Sequence, residues 1–312
     1  MEEDRTGWRA NQFLTDFKVR ATTSALPATP GAGSILEHLS ARFCILRNMD
    51  LQLDGKLALV TGSTAGIGYA IAHALASEGA HVIINGRTKL RVDAAVEKLE
   101  SAGVKGKLEG FAADLGTAPG VDRIAAQYPD VEILVNNLGI FEPKPFEQIP
   151  DADWFRFFEV NVLSGVRLSR QYLPGMKERN WGRIVFISSE SAVQIPAEMI
   201  HYGMTKTAQL AISRGLAETT AGTAVTVNTV LPGPTQSEGV GAFVEQMAAA
   251  RKISPAEVEN EFFRSVRPSS LLKRFARVDE VAALVAFLCS PLSSATNGAA
   301  LRVDGGVVRS IL

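Results

Sequence analysis

From Lys56 onward, short runs of apolar residues, many of them β-branched, alternate with longer stretches in which apolar positions recur every three or four residues. Leu57-Ala58-Leu59-Val60, His81-Val82-Ile83-Ile84-Asn85, a run ending at Asp114-Leu115, and Ile133-Leu134-Val135 read as buried strands. So do Arg183-Ile184-Val185-Phe186-Ile187, Val225-Thr226-Val227-Asn228 and Ala300-Leu301-Arg302-Val303. Helices are expected over 69–78, 89–102, 154–173, 202–221 and 278–289. This alternation specifies an α/β fold, a doubly wound parallel sheet with helices on both faces. Such sheets bind ligands at the carboxyl ends of their strands. One stretch breaks the rhythm. Residues 237–277 form a longer polar and helical excursion with apolar points at Phe243, Met247, Phe262, Phe263 and Leu271, the pattern of an insertion that covers a substrate.

The first strand runs into Thr61-Gly62-Ser63-Thr64-Ala65-Gly66-Ile67-Gly68 and then a helix. Strand, glycine loop and helix make a phosphate cradle: missing side chains let a pyrophosphate approach the backbone, and the helix amino end offers N–H groups and partial positive charge. The second strand ends at Gly86-Arg87-Thr88, where an acidic residue would hold the ribose hydroxyls of NAD. A glycine and a guanidinium stand there instead. Paired hydrogen bonds from Arg87 suit a 2′-phosphate, so NADP is the expected cofactor and NAD the less favoured one. Asp114, with the backbone beside it, is placed to touch an adenine. Asn136-Asn137-Leu138-Gly139 follows the fourth strand, and its asparagines can satisfy loose backbone groups or reach a ribose. Asn161, among Phe157, Phe158, Val160 and Val162, is either a residue of a structural network or the holder of a catalytic water.

Candidate chemistry concentrates between Ser188 and Lys206. Tyr202 and Lys206 are four apart, so on a helix they share a face. An ammonium ~4 Å from a phenol, at an effective dielectric of ~20, favours the phenolate by up to roughly 4 kcal/mol, about 3 pKa units. Tyr202 is then expected to exchange a proton near neutrality. Ser189 falls at the carboxyl end of the fifth strand, where its hydroxyl and the phenol can reach one carbonyl or alcohol oxygen; the plainer alternative is that Ser188 and Ser189 terminate a strand and Tyr202 packs in a core helix.

Composition narrows the function classes. With 46% hydrophobic residues in 312, the chain can bury a full core, and 32 basic against 33 acidic residues give nothing that calls for nucleic acid or an anionic membrane. Cys44 and Cys289 are too few for a disulfide framework, and neither they nor His38, His73, His81 and His201 have metal-ligand spacing, so no metal is expected and a cytoplasmic setting is the default. Residues 1–50 differ from the rest. The stretch from Ala21 to Ser34 reads as linker or disorder, a short amphipathic helix is possible between Ser34 and Leu46, and Met49 is the preferred natural start.

Taken together, Thr61 to Gly68, Asn136 to Gly139, Asn161, Ser189, Tyr202, Lys206 and Pro232-Gly233 resemble the classical short-chain dehydrogenase/reductase family, over roughly residues 53–311. The resemblance implies a single Rossmann-like domain with a seven-stranded sheet, commonly a homotetramer or homodimer. It assigns Tyr202 as general acid/base, Ser189 to polarising the substrate oxygen, Lys206 to the nicotinamide ribose and the Tyr202 pKa, and Asn161 to a relay water. Gly62, Thr64, Ile67, Arg87, Asp114, Leu115, Asn137, Gly139 and Thr235 match its cofactor contacts. Within the family the chain is similar to proteins labelled 3-oxoacyl-acyl-carrier-protein reductases, yet Asn180 and Thr223 stand where those carry carrier-docking arginines. Arg179, Arg264, Arg267, Lys273, Arg274 and Arg277 are read as solvated faces rather than substitutes, so a carrier-protein partner is not expected. The expected reaction interconverts a ketone and a secondary alcohol; the alternatives are a nucleotide sensor without turnover, or an epimerase or dehydratase.

Overall fold

The protein is described by a computed structural model covering residues 49–311. The linker and helix expected before Met49 lie outside the described residues. Seven parallel strands form one sheet: β1 Leu57–Val60, β2 His81–Gly86, β3 Leu108–Ala112, β4 Ile133–Asn136, β5 Gly182–Ile187, β6 Val225–Pro232 and, last in the chain, β9 Ala300–Val303. Their order is β3-β2-β1-β4-β5-β6-β9. The order reverses between β1 and β4, which pair with Leu59 opposite Leu134, and that reversal opens a crevice at their carboxyl ends.

Side chains alternate between the two faces as strand geometry requires. Ala58, Val60, Val135, Val185 and Ile187 join one core with Ile71 and Leu75 of α1 (Gly66–Ser77). Val281, Val285 and Leu288 complete it from the late helix Val278–Cys289. Leu59, Leu134, Ile184 and Phe186 face the other way. Helix α2 (Lys89–Ser101) lies against β3 and adds Ala95 and Leu99 to the first core, while Ile124 of α3 (Ala118–Gln127) and Leu168, Tyr172 and Met176 supply the second. Every residue of β5 and β6 is buried, including the polar Arg183, Thr226, Asn228 and Thr229, as central strands covered on both faces require.

The expected elements are present with shifted ends, and two local features differ. Helix α3 is not among the expected elements: Ala118-Pro119-Gly120 resembles a turn, yet proline is at home in a first helical turn and Thr117 accepts a hydrogen bond from the Gly120 N–H to cap it. The helix expected over 154–173 is not uniform. It consists of α4 (Asp151–Phe158), a π-helical turn over Glu159–Leu163 and α5 (Ser164–Glu178). That turn carries Asn161. Helix α6 (Ile200–Glu218) follows β5 and opens two residues before Tyr202.

The excursion is pinned at both ends. Strand β7 (Thr235–Gln236) pairs with β8 (Ala276–Arg277), Thr235 opposite Ala276, so the chain leaves and returns at one point. Between them lie α7 (Glu238–Arg251), capped by Ser237, and α8 (Pro255–Glu261), capped by a reciprocal Ser254–Glu257 box. The helix after β8 is α9 (Val278–Cys289).

Candidate active site

The glycine loop fits a close-approaching ligand for reasons visible at single atoms. Gly62 and Gly66 have φ of +61° and +57°, a region that costs an L side chain strain. A Cβ on Gly68 would collide with the Asn137 side chain and the Gly62 carbonyl. The loop is also stitched to the neighbouring strand. Thr61 Oγ1 accepts from the N–H groups of Asn137 and Leu138, both at 2.9 Å, and Asn137 Nδ2 donates to Thr61 O at 2.9 Å and Gly62 O at 3.2 Å. Asn137 thus satisfies loose backbone groups, one of the two roles expected of it.

A cleft of about 200 Å³ opens beside the loop, lined by Gly62, Thr64, Gly86, Arg87, Asp114, Leu115 and Leu138, and also by Arg91. Asn85 shapes it from below, accepting from Gly62 N and donating to Phe111 O and Ala113 O. A Cβ at Gly86 would stand 2.5 Å from Thr64 Cγ2 and 3.2 Å from Val92 Cγ2, so an acidic side chain there requires both to shift. Leu115 is buried, which leaves its backbone as the part that can meet a ligand. Arg91, one turn beyond Arg87 at the start of α2, is a second guanidinium that the single-residue reading missed.

The catalytic candidates converge at the adjoining strand ends. Ser189 and Tyr202 border a second cavity of about 480 Å³. Lys206 is buried behind them, its Nζ 5.6 Å from the Tyr202 ring centre and donating to Ile187 O at 2.9 Å. Ser188 faces away from the cavity chemistry and donates to Lys206 O, locking α6 onto β5. A Cβ on Gly139 would lie 3.4 Å from Lys206 Nζ and 3.5 Å from Asn161 Oδ1, so the glycine keeps that space open. Thr235, at the mouth of the excursion, also borders the cavity.

Asn161 is held on every side. Its Oδ1 accepts from Ile140 N at 2.8 Å, and its Nδ2 donates to Ile140 O and Thr205 Oγ1, each at 3.0 Å. Its main-chain oxygen accepts from Gln209 Nε2 at 2.6 Å, while Gln209 Oε1 lies 3.4 Å from Lys206 Nζ. Here the network role is the one the contacts support, and Gln209, which sequence reasoning did not single out, is its link to Lys206.

Electrostatics depart from the expectation of a phenol tuned toward neutrality. Burial pushes the Tyr202 hydroxyl well above its usual range; the hydrogen bond with Ser189 works the other way, and the Glu190 carboxylate adds to the rise. Lys206 responds to the same burial by falling to about 8. Desolvation dominates both shifts because burial penalises whichever form carries the charge.

The cavity's far wall comes from the excursion: Val240, Phe243, Val244, Met247 and Phe262 face it. Phe263 instead packs under that wall against Phe275, and Leu271, 84% exposed, is not part of it. Arg267 corrects another expectation. It is not a solvated residue but pairs with Glu190 and Glu198 at the cavity edge. Its neighbours in sequence are neutralised as well, Arg274 by Glu280 and Arg277 by Asp279.

A family model described as short chain dehydrogenase matches residues 56–248, which hold the loop, the asparagines, Ser189, Tyr202 and Lys206. The chain belongs to the short-chain dehydrogenase family. It is 53% identical over 263 residues to the uncharacterized oxidoreductase YvaG of Bacillus subtilis (strain 168), covering 84% of this chain and all of that one. It is 34% identical over 262 residues to the 3-oxoacyl-[acyl-carrier-protein] reductase FabG of Aquifex aeolicus (strain VF5), covering 83% of this chain and all of that one. Among solved structures, L-sorbose reductase from Gluconobacter frateurii, complexed with NADPH and L-sorbose, superposes with a TM-score of 0.79 at 30% identity, over 84% of this chain and all of that one. As a member of this family the chain is an oxidoreductase on the Rossmann-like sheet that the alternating pattern specifies. Among the described residues, no helix is long and apolar enough to cross a membrane.

Proposed function

We propose that this short-chain dehydrogenase interconverts a ketone and a secondary alcohol with NADP(H), Tyr202 acting as the general acid and base. The observation that carries the reading is the placement of the Tyr202 hydroxyl beside Ser189 in the cavity, with the Lys206 ammonium buried behind them. When bound, the nicotinamide supplies or accepts the hydride. Tyr202 gives its proton to the substrate oxygen in reduction and takes it back in oxidation. Ser189 holds that oxygen in line. Lys206, with N–H groups given to Ile187 O and Gln209 Oε1, keeps one for the cofactor ribose, and its charge stabilises negative charge on the phenol. Asn161, tied to Ile140, Thr205 and Gln209, fixes the floor on which Lys206 stands.

NADP is favoured over NAD by Arg87 and Arg91 at one cleft, together with the packing at Gly86, where an acidic side chain would have to displace Thr64 and Val92. The NADPH in the L-sorbose reductase complex agrees with it. The apolar outer wall suits a substrate with a hydrocarbon portion. Against a carrier-protein partner stand the pairing of Arg267, Arg274 and Arg277 with carboxylates of the same chain and the use of Asn180 to accept the Ala224 N–H from the loop before β6.

The deciding experiment is Tyr202→Phe assayed with a ketone panel. Turnover is expected to fall by about three orders of magnitude, within the range a positioned proton donor supplies, while NADPH binding followed by fluorescence stays within about twofold, a small fraction of a hydrogen bond's worth. Retained turnover would remove Tyr202 from the chemistry.

A further inference from the structure

Beside the Ser189 hydroxyl lies a buried carboxylate that the proposed mechanism does not use. Glu190 is 5% exposed and its partner Arg267 9%. Glu190 Oε2 accepts the Ser189 hydroxyl proton at 2.5 Å, and Oε1 accepts from Arg267 Nε at 3.3 Å. Arg267 Nη1 donates to Glu198 Oε1 at 3.3 Å and to Val266 O. All three charged groups border the cavity that holds Tyr202. Two carboxylates against one guanidinium leave this wall negative.

A serine hydroxyl has one proton. Here it goes to Glu190, while Ser189 Oγ accepts from Ser191 N at 3.1 Å and also meets the Tyr202 hydroxyl. A ketone oxygen that recruits the proton takes it from Glu190. Glu190 Oε2 then lacks a donor although Oε1 keeps Arg267, and an unsatisfied buried acceptor is costly. A plain ketone leaves that cost standing. A hydroxyl on the carbon next to the carbonyl can reach the released Glu190 oxygen and restore the bond. A carboxylate at the same place would meet Glu190 as a like charge.

We propose that Glu190 selects neutral substrates bearing a hydroxyl next to the reacting carbon: α-hydroxyketones in reduction and vicinal diols in oxidation. The rest of such a substrate lies against Phe243, Met247 and Phe262. The selection rests on the ketone–alcohol reading above.

Three ligands of one chain length test it: a six-carbon methyl ketone, the same ketone hydroxylated on its methyl group, and the corresponding 2-oxo acid. Their dissociation constants from the wild-type protein with NADP⁺ are measured by calorimetry, and their kcat/KM values with NADPH. The hydroxyketone is expected to bind about tenfold more tightly than the ketone, with the oxo acid weakest, a gap of the size one charged hydrogen bond supplies. In Glu190→Gln the first gap closes to within about threefold and the oxo acid gains, since the charge is gone. Equal or reversed affinities in the wild type overturn the proposal, as does an unchanged order in Glu190→Gln. Because the order is a property of the wild type, a variant that fails to fold leaves the decisive comparison intact. Turnover without this order sinks the role of Glu190 and spares the oxidoreductase chemistry. The expected binding order without turnover of any ketone supports the site's preference and removes the ketone–alcohol reaction.

Discussion

The two sides of this site are built by different means. On the cofactor side, small residues and backbone groups do the shaping: Gly62, Gly66 and Gly68 remove bulk, Thr61 and Asn137 tie the loop down, and Gly86 keeps the cleft open. On the substrate side, large side chains from an insertion do it: Phe243, Met247 and Phe262 form the far wall and Arg267 reaches back to Glu190. A backbone cradle tolerates almost no change, because nothing can move aside. A wall of side chains on helices joined to the sheet through one short strand pair can be altered by degrees.

The sharpest way to break the cradle is Gly68→Ala. The added methyl has no space between the Asn137 amide and the Gly62 carbonyl. Overpacking of this kind costs about 1–3 kcal/mol, so NADPH affinity by fluorescence titration is expected to fall about a hundredfold with a lowered Tm. Affinity within twofold of wild type would mean that the loop yields, and that the two sides are not so different in stiffness.

Arg87→Ala separates the parts of the cradle itself. The residue is exposed and touches only one end of the cleft, so folding is expected to be unaffected. Loss of charged hydrogen bonds to a 2′-phosphate is worth about tenfold to fiftyfold in NADPH affinity, partly masked by Arg91, with NADH affinity unchanged. Equal losses for both cofactors would argue that Arg87 supports the loop rather than reading the phosphate.

The contrast between the two sides also governs what the chain discloses on inspection. Glycines, the Asn136-Asn137 pair and the Tyr202-Lys206 spacing are local: the first two act at a strand end and the last within one helical turn, so pattern and position suffice. The central sheet is legible for the same reason, since β1, β2, β4, β5 and β6 are almost wholly buried. Arg267 offers no such signal, because its partner Glu190 is 77 residues away in sequence and only the fold joins them. Gln209 reads as another helical residue until its amide is seen between Lys206 and Asn161. The Tyr202 environment is instructive in a different way. Spacing predicts the neighbouring ammonium correctly, but desolvation is a property of the whole packed site, and it reverses the direction of the shift.

The smallest expected effect tests the other side of the comparison. Phe243 borders the cavity yet is 58% exposed, so only part of its ring meets a substrate. Phe243→Ala removes that partial contact, and at about 25 cal/mol per Å² a loss of some 40 Å² corresponds to roughly 1 kcal/mol, a rise of about fivefold in KM for a long-chain ketone. A short ketone that does not reach α7 should show no change, and neither should NADPH affinity. If KM rises equally for both ketones, α7 acts by positioning the excursion as a body rather than by lending surface. The substrate wall would then share the stiffness of the cradle, and the distinction between the two sides would fail.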